Sequence, residues 1–92
     1  MQHSVPAGIL AALGNEHRLA MVELLRGGEL CLCEIAPRFA LDQSVVSRHL
    51  TTLERAGLIR SRRDGRRILY RLVDRRVLRL VGSARSLAGP RG

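Results

Sequence analysis

The stretch Gln43–Leu72, QSVVSRHLTTLERAGLIRSRRDGRRILYRL, changes its hydrophobic period half-way along, from that of a helix to that of a strand. In its first half Val46, Leu50 and Leu53 recur at a spacing near one helical turn, Asp42 stands before them as an N-cap and Gly57 follows as a stop, so a helix is expected. From Leu58 the period falls to two. LIRSRR, then Asp64-Gly65, then RRILYRL reads as a β-hairpin, because Asp-Gly suits the tight turn that matches strand twist and Ile68, Tyr70 and Leu72 alternate with Arg67, Leu69 and Arg71. Arg60, Arg62, Arg63, Arg66 and Arg67 crowd its tip, which can hardly be buried and would fit beside a phosphate backbone.

Working outward toward the N-terminus, Glu29–Phe39 carries the stripe Leu32, Ile35, Ala36, Phe39 and predicts a helix, with Pro37 as a flaw inside it. Before it, Asn15 caps a helix NEHRLAMVELLR that Gly27 and Gly28 stop. Val5–Leu13 has helical spacing and ends at Gly14. Toward the C-terminus, Asp74–Ala88 predicts a closing helix with Val77, Leu80, Val81 and Ala84 on one side, before a GPRG tail. The fold class is therefore mainly α with a small β-hairpin, in the order of a winged helix-turn-helix: residues 29–57 the helix-turn-helix, 58–73 the wing, and 1–92 a single domain.

Composition narrows the partners. The 92 residues are 46% hydrophobic and 26% charged, with a formal charge of +8 and all 16 basic residues arginine. Arginine presents a rigid planar fork that binds phosphate or guanine edges bidentately, so a polyanion is the natural partner. With one Tyr, one Phe and no Trp, there is no aromatic platform for single strands or RNA. The longest apolar run is far short of the roughly 18 residues a membrane span requires, and MQHSVPAG is no signal segment, so no membrane partner and a cytoplasmic location are expected. No catalytic constellation stands out and no enzyme is expected: Ser44, Ser47 and His49 share one short helix with no orienting carboxylate.

If Val46, Leu50 and Leu53 face inward, Gln43, Ser44, Ser47, Arg48 and Thr51 lie outward, toward the end of the helix that enters a major groove. Gln can pair with adenine and Arg with guanine, while Ser and Thr hold phosphates. His49 reads as a packing or phosphate-contact residue, and Arg62, Arg63, Arg66 and Arg67 as the wing's phosphate contacts. Together, "ALGNEHRLAMVELL", "ELCLCEIA", "QSVVSRHLTTLERAGLI" and "RRDGRRILYRL" resemble the ArsR/SmtB family of bacterial metal-responsive repressors, from about Leu10 to Leu72. The resemblance implies a homodimer, joined by the first and last helices (5–13 and 74–88), bound to an inverted repeat of double-stranded operator DNA and released by an inducer. The stripes Val5, Ile9, Leu13 and Val77, Leu80, Val81, Ala84 suit those dimer surfaces, since so small a domain offers them no obvious inner partner.

Cys31 and Cys33 are the cysteines of this chain. A bridge between near neighbours would close almost no loop and restrict the unfolded chain little, so free thiols in a reducing cytosol are expected. In an ideal helix, residues two apart point roughly 200° from each other, so joint capture of one ion requires the first turn to unwind. Such capture would strain the support of the recognition helix and lower DNA affinity. "ELCLCE" resembles the "ELCVCD" metal-site motif of the family's arsenite and antimonite sensors, shared with its cadmium, lead and zinc sensors. The resemblance implies Cys31 and Cys33 as ligands. The arsenite pattern has a further Cys where this chain has Ala36, and the N-terminal arm that supplies cysteines in cadmium and lead sensors here offers His3. Two-thiolate capture of As(III) or Sb(III) is therefore expected before Cd(II), Pb(II) or Zn(II), which want more donors; His3, His17 and Glu34 are conceivable additions. No second metal site is expected on the last helix, which has Asp74 but no His. A thiol-redox repressor and an architectural DNA binder with inert cysteines are the alternatives.

Overall fold

Asn15 opens the second helix of the chain, as its type predicts. Its side chain accepts from the backbone amides of His17 at 2.9 Å and Arg18 at 3.1 Å, satisfying two of the amides that a helix start leaves unpaired. The structure is a computed structural model and describes residues 5–89; His3 and the tail at 90–92 lie outside them. Helix α1 is Val5–Leu13 and α2 is Glu16–Leu24, followed by a 3-10 turn Leu25–Gly27. Asn15→Ala is expected to destabilise the fold by about 1 kcal/mol, measurable as a lowered urea midpoint with an unchanged slope.

The expected helix over Glu29–Phe39 is broken into three pieces. Leu30–Cys31 forms strand β1, α3 is the single turn Leu32–Ile35, and Ala36–Arg38 is a 3-10 turn holding Pro37. Two physical causes displace the helix. Leu30 and Cys31 pair antiparallel with Tyr70 and Leu69, so their backbone groups are taken by a strand ladder. Pro37, lacking an amide, ends regular α geometry. The stripe survives the break: Ile35 is buried, and Leu32, Ala36 and Phe39 pack against the core.

Helix α4, Gln43–Arg55, has the expected bounds. Asp42 holds the N-cap position, but through its carbonyl, which accepts from Val45 at 2.9 Å and Val46 at 3.1 Å; its side chain makes no cap bond. Val46, Leu50 and Leu53 are each 0% exposed, and burial of such a side chain is worth about 1.5–3 kcal/mol. Strands β2, Ile59–Asp64, and β3, Arg67–Leu72, form the hairpin, completing an antiparallel sheet in the order β1-β3-β2. Asp64 pairs with Arg67, so the turn residues are Gly65-Arg66, one position later than Asp64-Gly65. Gly65 takes φ +64 while Arg66, like every described residue other than glycine, does not have positive φ, which is the pattern of a II′ turn. Expected alternation in β3 also fails at its centre, where Leu69 and Tyr70 are both buried. As the central strand it is covered on both faces: Tyr70 joins the core, and Leu69 lies opposite Cys31, where α3 packs on β3.

Helix α5 runs Arg76–Ala88, starting after Asp74 because that side chain accepts from the Arg76 amide at 2.8 Å and from its guanidinium at 2.7 Å. The Arg76 guanidinium and amide hold the Asp74 carboxyl at about 2, against an ordinary 3.8. Arg85 clamps α5 to α2 through both oxygens of Glu23, at 2.6 and 2.7 Å. Part of the stripe expected to face outward is in the core: Leu13, Val77 and Val81 are buried with Met21, Val22 and Leu50. Val5, Leu10, Leu80 and Leu87 remain exposed, at 73%, 61%, 40% and 90%. Among the described residues no helix is long and apolar enough to cross a membrane.

Candidate nucleic-acid interface and thiol site

With its apolar face locked inward, α4 presents Gln43, Ser44 and Arg48 to solvent, while Ser47 and Thr51 are half-buried at the margin. The hairpin holds Arg63, Arg66 and Arg67 exposed beside it. Arg67 has a long contact of 3.4 Å to Asp64. Arg62 is not free in the same way: its Nε and Nη2 each donate to Glu29 at 2.8 Å. That pair holds the Glu29 carboxyl below its ordinary range and raises Arg62. Ser61 Oγ donates to Glu54 at 2.7 Å. These three bonds fix the hairpin to the segment before β1 and to the end of α4, so wing and helix are presented as one surface. Arg62 thus serves as a wing anchor here, a role its place in an Arg-rich run gave no sign of.

His49 is turned inward rather than toward that surface. Arg18 Nη1 donates to its Nδ1 at 3.0 Å, while Arg18 Nε donates to the Ala12 carbonyl at 2.5 Å. A guanidinium has no acceptor, so Nδ1 must be unprotonated. The His17 ring lies 5.8 Å away and contacts Phe39 edge-on at 6.3 Å. Burial first, then the positive Arg18, His17 and Arg48, push His49 below its ordinary 6.5. A histidine depressed in the fold contributes stability that is full above the unfolded value and lost as pH falls through the folded one. Stability should therefore decline below about pH 6.5, and His49→Gln, which keeps an acceptor and cannot titrate, should flatten that part of the curve. Urea unfolding from pH 7.5 to 5 reads it; an unchanged slope in His49→Gln contradicts it.

The cysteines occupy the junction between β1 and α3. Cys31 is extended, at φ −82 and ψ 160, and is the N-cap of α3. Cys33 is in the first helical turn, and the two sulfurs are joined with their Cα atoms 5.1 Å apart. The sequence expectation of free thiols pointing roughly 200° apart is corrected here. It assumed both in a helix, whereas Cys31 belongs to the strand, so no turn has to unwind for the sulfurs to meet. Glu34, a conceivable ligand, is already committed: its Oε1 accepts from the Cys31 amide at 2.8 Å. Its place three residues after the N-cap is the spacing of a capping box, with Cys standing where Ser or Thr usually does. Among the described residues no three His, Cys, Asp or Glu side chains are grouped to hold a metal.

Burial separates the pair. Cys31 is 1% exposed, whereas Cys33 is open to solvent. Both line a cleft of about 320 Å3 together with Leu32, Gln43, Arg66, Arg67 and Ile68. The sulfurs thus share one cleft with the first residue of α4 and the turn of the wing.

Residues 15–61, from the cap of α2 into β2, match the family described as "Bacterial regulatory protein, arsR family". The chain belongs to the arsR family. This ArsR-family chain is 37% identical over 81 residues to the HTH-type transcriptional repressor SmtB of Mycobacterium tuberculosis, covering 88% of itself and 60% of that protein. It is 40% identical over 68 residues to the arsenic resistance transcriptional regulator ArsR1 of Pseudomonas putida, covering 73% of itself and 53% of that protein. The chain therefore spans little more than half the length of these relatives. Its fold is similar to the homodimeric winged helix-turn-helix DNA-binding domain Mb0332 of Mycobacterium bovis, with TM-score 0.81 and 32% identity over 91% of this chain and 78% of that one.

Proposed function

We propose that this ArsR-family protein is a cytoplasmic transcriptional repressor. It binds an inverted repeat of double-stranded operator DNA as a homodimer and is released when Cys31 and Cys33 together hold trivalent arsenic or antimony. In the groove, Gln43 and Arg48 read base edges, Ser44, Ser47 and Thr51 position the helix, and Arg63, Arg66 and Arg67 contact phosphates. The exposed Val5, Leu10, Leu80 and Leu87 on α1 and α5 support pairing through those helices, which a two-fold partner would cover while setting the recognition helices about 34–36 Å apart.

One observation carries the inducer site: the sulfurs meet in a cleft that Gln43 and the wing arginines also line. A soft trivalent ion accepts two sulfurs and a small ligand, whereas zinc and cadmium want four donors, and the described residues group no third one there. Coupling comes from sharing the cleft and not from strain in α3. A second reading, a dithiol–disulfide switch, is favoured by the joined sulfurs themselves.

Fluorescence anisotropy on a labelled operator tests both. Arsenite and antimonite should weaken binding of the reduced protein about 5–150-fold, with cadmium, lead and zinc weaker in effect; peroxide acting alone would favour the switch. Cys33→Ser should bind DNA normally and not respond. Cys31→Ser is the poorer probe, because a hydroxyl in that buried site costs about 1–3 kcal/mol unless it finds a partner. Normal release of Cys33→Ser by arsenite would remove the site.

A further inference from the structure

The burial difference between the cysteines, and the charge around the exposed one, carry a modification site beyond the inducer reading. The lining of the cleft at Cys33 contains Arg66 and Arg67 and no carboxylate, with Leu32 and Ile68 as its apolar wall. Arg66 has no ion pair among the described residues, and Arg67 has the 3.4 Å contact to Asp64. At about 320 Å3 the cleft falls in the range of small-molecule sites, roughly 300–1,000 Å3. Cys31 lies beneath, 1% exposed.

We propose that Cys33 is a site of mixed-disulfide formation with small anionic disulfides, drawn in by Arg66 and Arg67, and that buried Cys31 is the resolving thiol. Starting from the dithiol, the Cys33 thiolate attacks one sulfur of the reagent RSSR. The reagent's S–S bond breaks, Cys33–S–S–R forms, and one RS⁻ leaves and takes a proton from water. Cys31 then loses its proton to water and attacks the Cys33 sulfur. The Cys31–Cys33 bond forms, the second RS⁻ leaves, and the sum is one dithiol oxidised and one disulfide reduced to two thiols. Exposure decides the order, since a reagent in solution reaches Cys33 and not Cys31. The intermediate places an anionic group against Gln43 and the wing, so it also competes with DNA; that consequence rests on the DNA face proposed above.

The test uses reduced Cys31→Ser protein, in which the adduct cannot be resolved, with oxidised glutathione as the anionic probe and bis(2-hydroxyethyl) disulfide as the neutral one. Mass spectrometry should find one glutathionyl group on Cys33. Adding Arg66→Gln and Arg67→Gln should slow the anionic probe about fivefold or more and leave the neutral probe within about twofold. Wild-type protein should end as the Cys31–Cys33 bridge with two glutathiones released and no lasting adduct, which keeps the test independent of how well Cys31→Ser folds. Equal sensitivity of both probes to the arginines, or modification of Cys31 in Cys33→Ser as fast as of Cys33, overturns the proposal. The adduct should also weaken operator binding about tenfold or more, by adding negative charge where phosphate belongs. Failure of the unmodified protein to bind DNA refutes the DNA reading, while site and rate of modification judge this proposal alone.

Discussion

Replacement of Arg63, Arg66 and Arg67 together by Gln is expected to weaken DNA binding on the order of a hundredfold at about 0.1 M salt. The three are exposed at the wing, and only Arg67 has an acidic contact, at 3.4 Å. Each arginine that meets a phosphate releases counterions and contributes about one unit to the slope of log K against log salt. In a dimer the triple variant should therefore flatten that slope by about five. The loss should be nearly the same on operator and unrelated DNA, because phosphates carry no sequence. Gln43→Ala makes the contrast: a lost base contact of about 1–3 kcal/mol should shrink the preference for operator and leave the salt slope alone. A triple variant with an unchanged slope would show that the wing does not touch DNA. Arg62→Gln should behave differently again, by loosening the hairpin from Glu29, with which it makes two bonds of 2.8 Å.

Leu50→Ala should destabilise the protein by about 2–5 kcal/mol. Leu50 is 0% exposed at the middle of the inward face of α4, with Val46 and Leu53, also at 0%, a turn to either side. Truncation removes apolar contact and leaves a hole that neighbours on several elements cannot all relax into. For a domain of this size total stability is about 5–15 kcal/mol, and each kcal/mol moves Tm by about 4–8 °C. A drop of 10 °C or more is the expected result in a thermal melt, with about half-maximal unfolding reached in correspondingly less urea. Thr52→Ala, on the exposed side of the same helix, removes a side-chain bond to the Arg48 carbonyl and should change Tm little. A Leu50→Ala protein as stable as wild type would mean that this face does not dock the helix.

How much could be read before folding differed by element, for physical reasons. α1, α4 and the hairpin are set by local hydrophobic period, and their spans follow the pattern closely. The 29–39 segment departs from its helical pattern because its stripe at helical spacing is real but its conformation is decided non-locally, by pairing of Leu30 and Cys31 with β3 some forty residues on. The wing turn slipped by one residue because Gly65 satisfies a turn as its first or its second central position, and strand register chooses between them. At the site, Gln43, Ser44 and Arg48 lie outward as the inward face of α4 dictates, while Ser47 and Thr51, at the margin of that face, are half-buried. The pairing of Arg62 with Glu29 and of Arg18 with His49 does not follow from such a pattern, since no spacing rule links side chains that meet only through tertiary packing. The meeting of the two sulfurs was hidden for the same reason as β1.

Coupling between the state of the Cys31–Cys33 pair and the occupancy of the DNA face, as proposed above, must be reciprocal, because it is a difference of binding free energies. Arsenite affinity should therefore be measured by calorimetric titration of the reduced protein, free and saturated with operator DNA. DNA should weaken arsenite binding by the same factor by which arsenite weakens DNA binding, about 5–150-fold. Equal arsenite affinity on and off DNA would contradict that coupling.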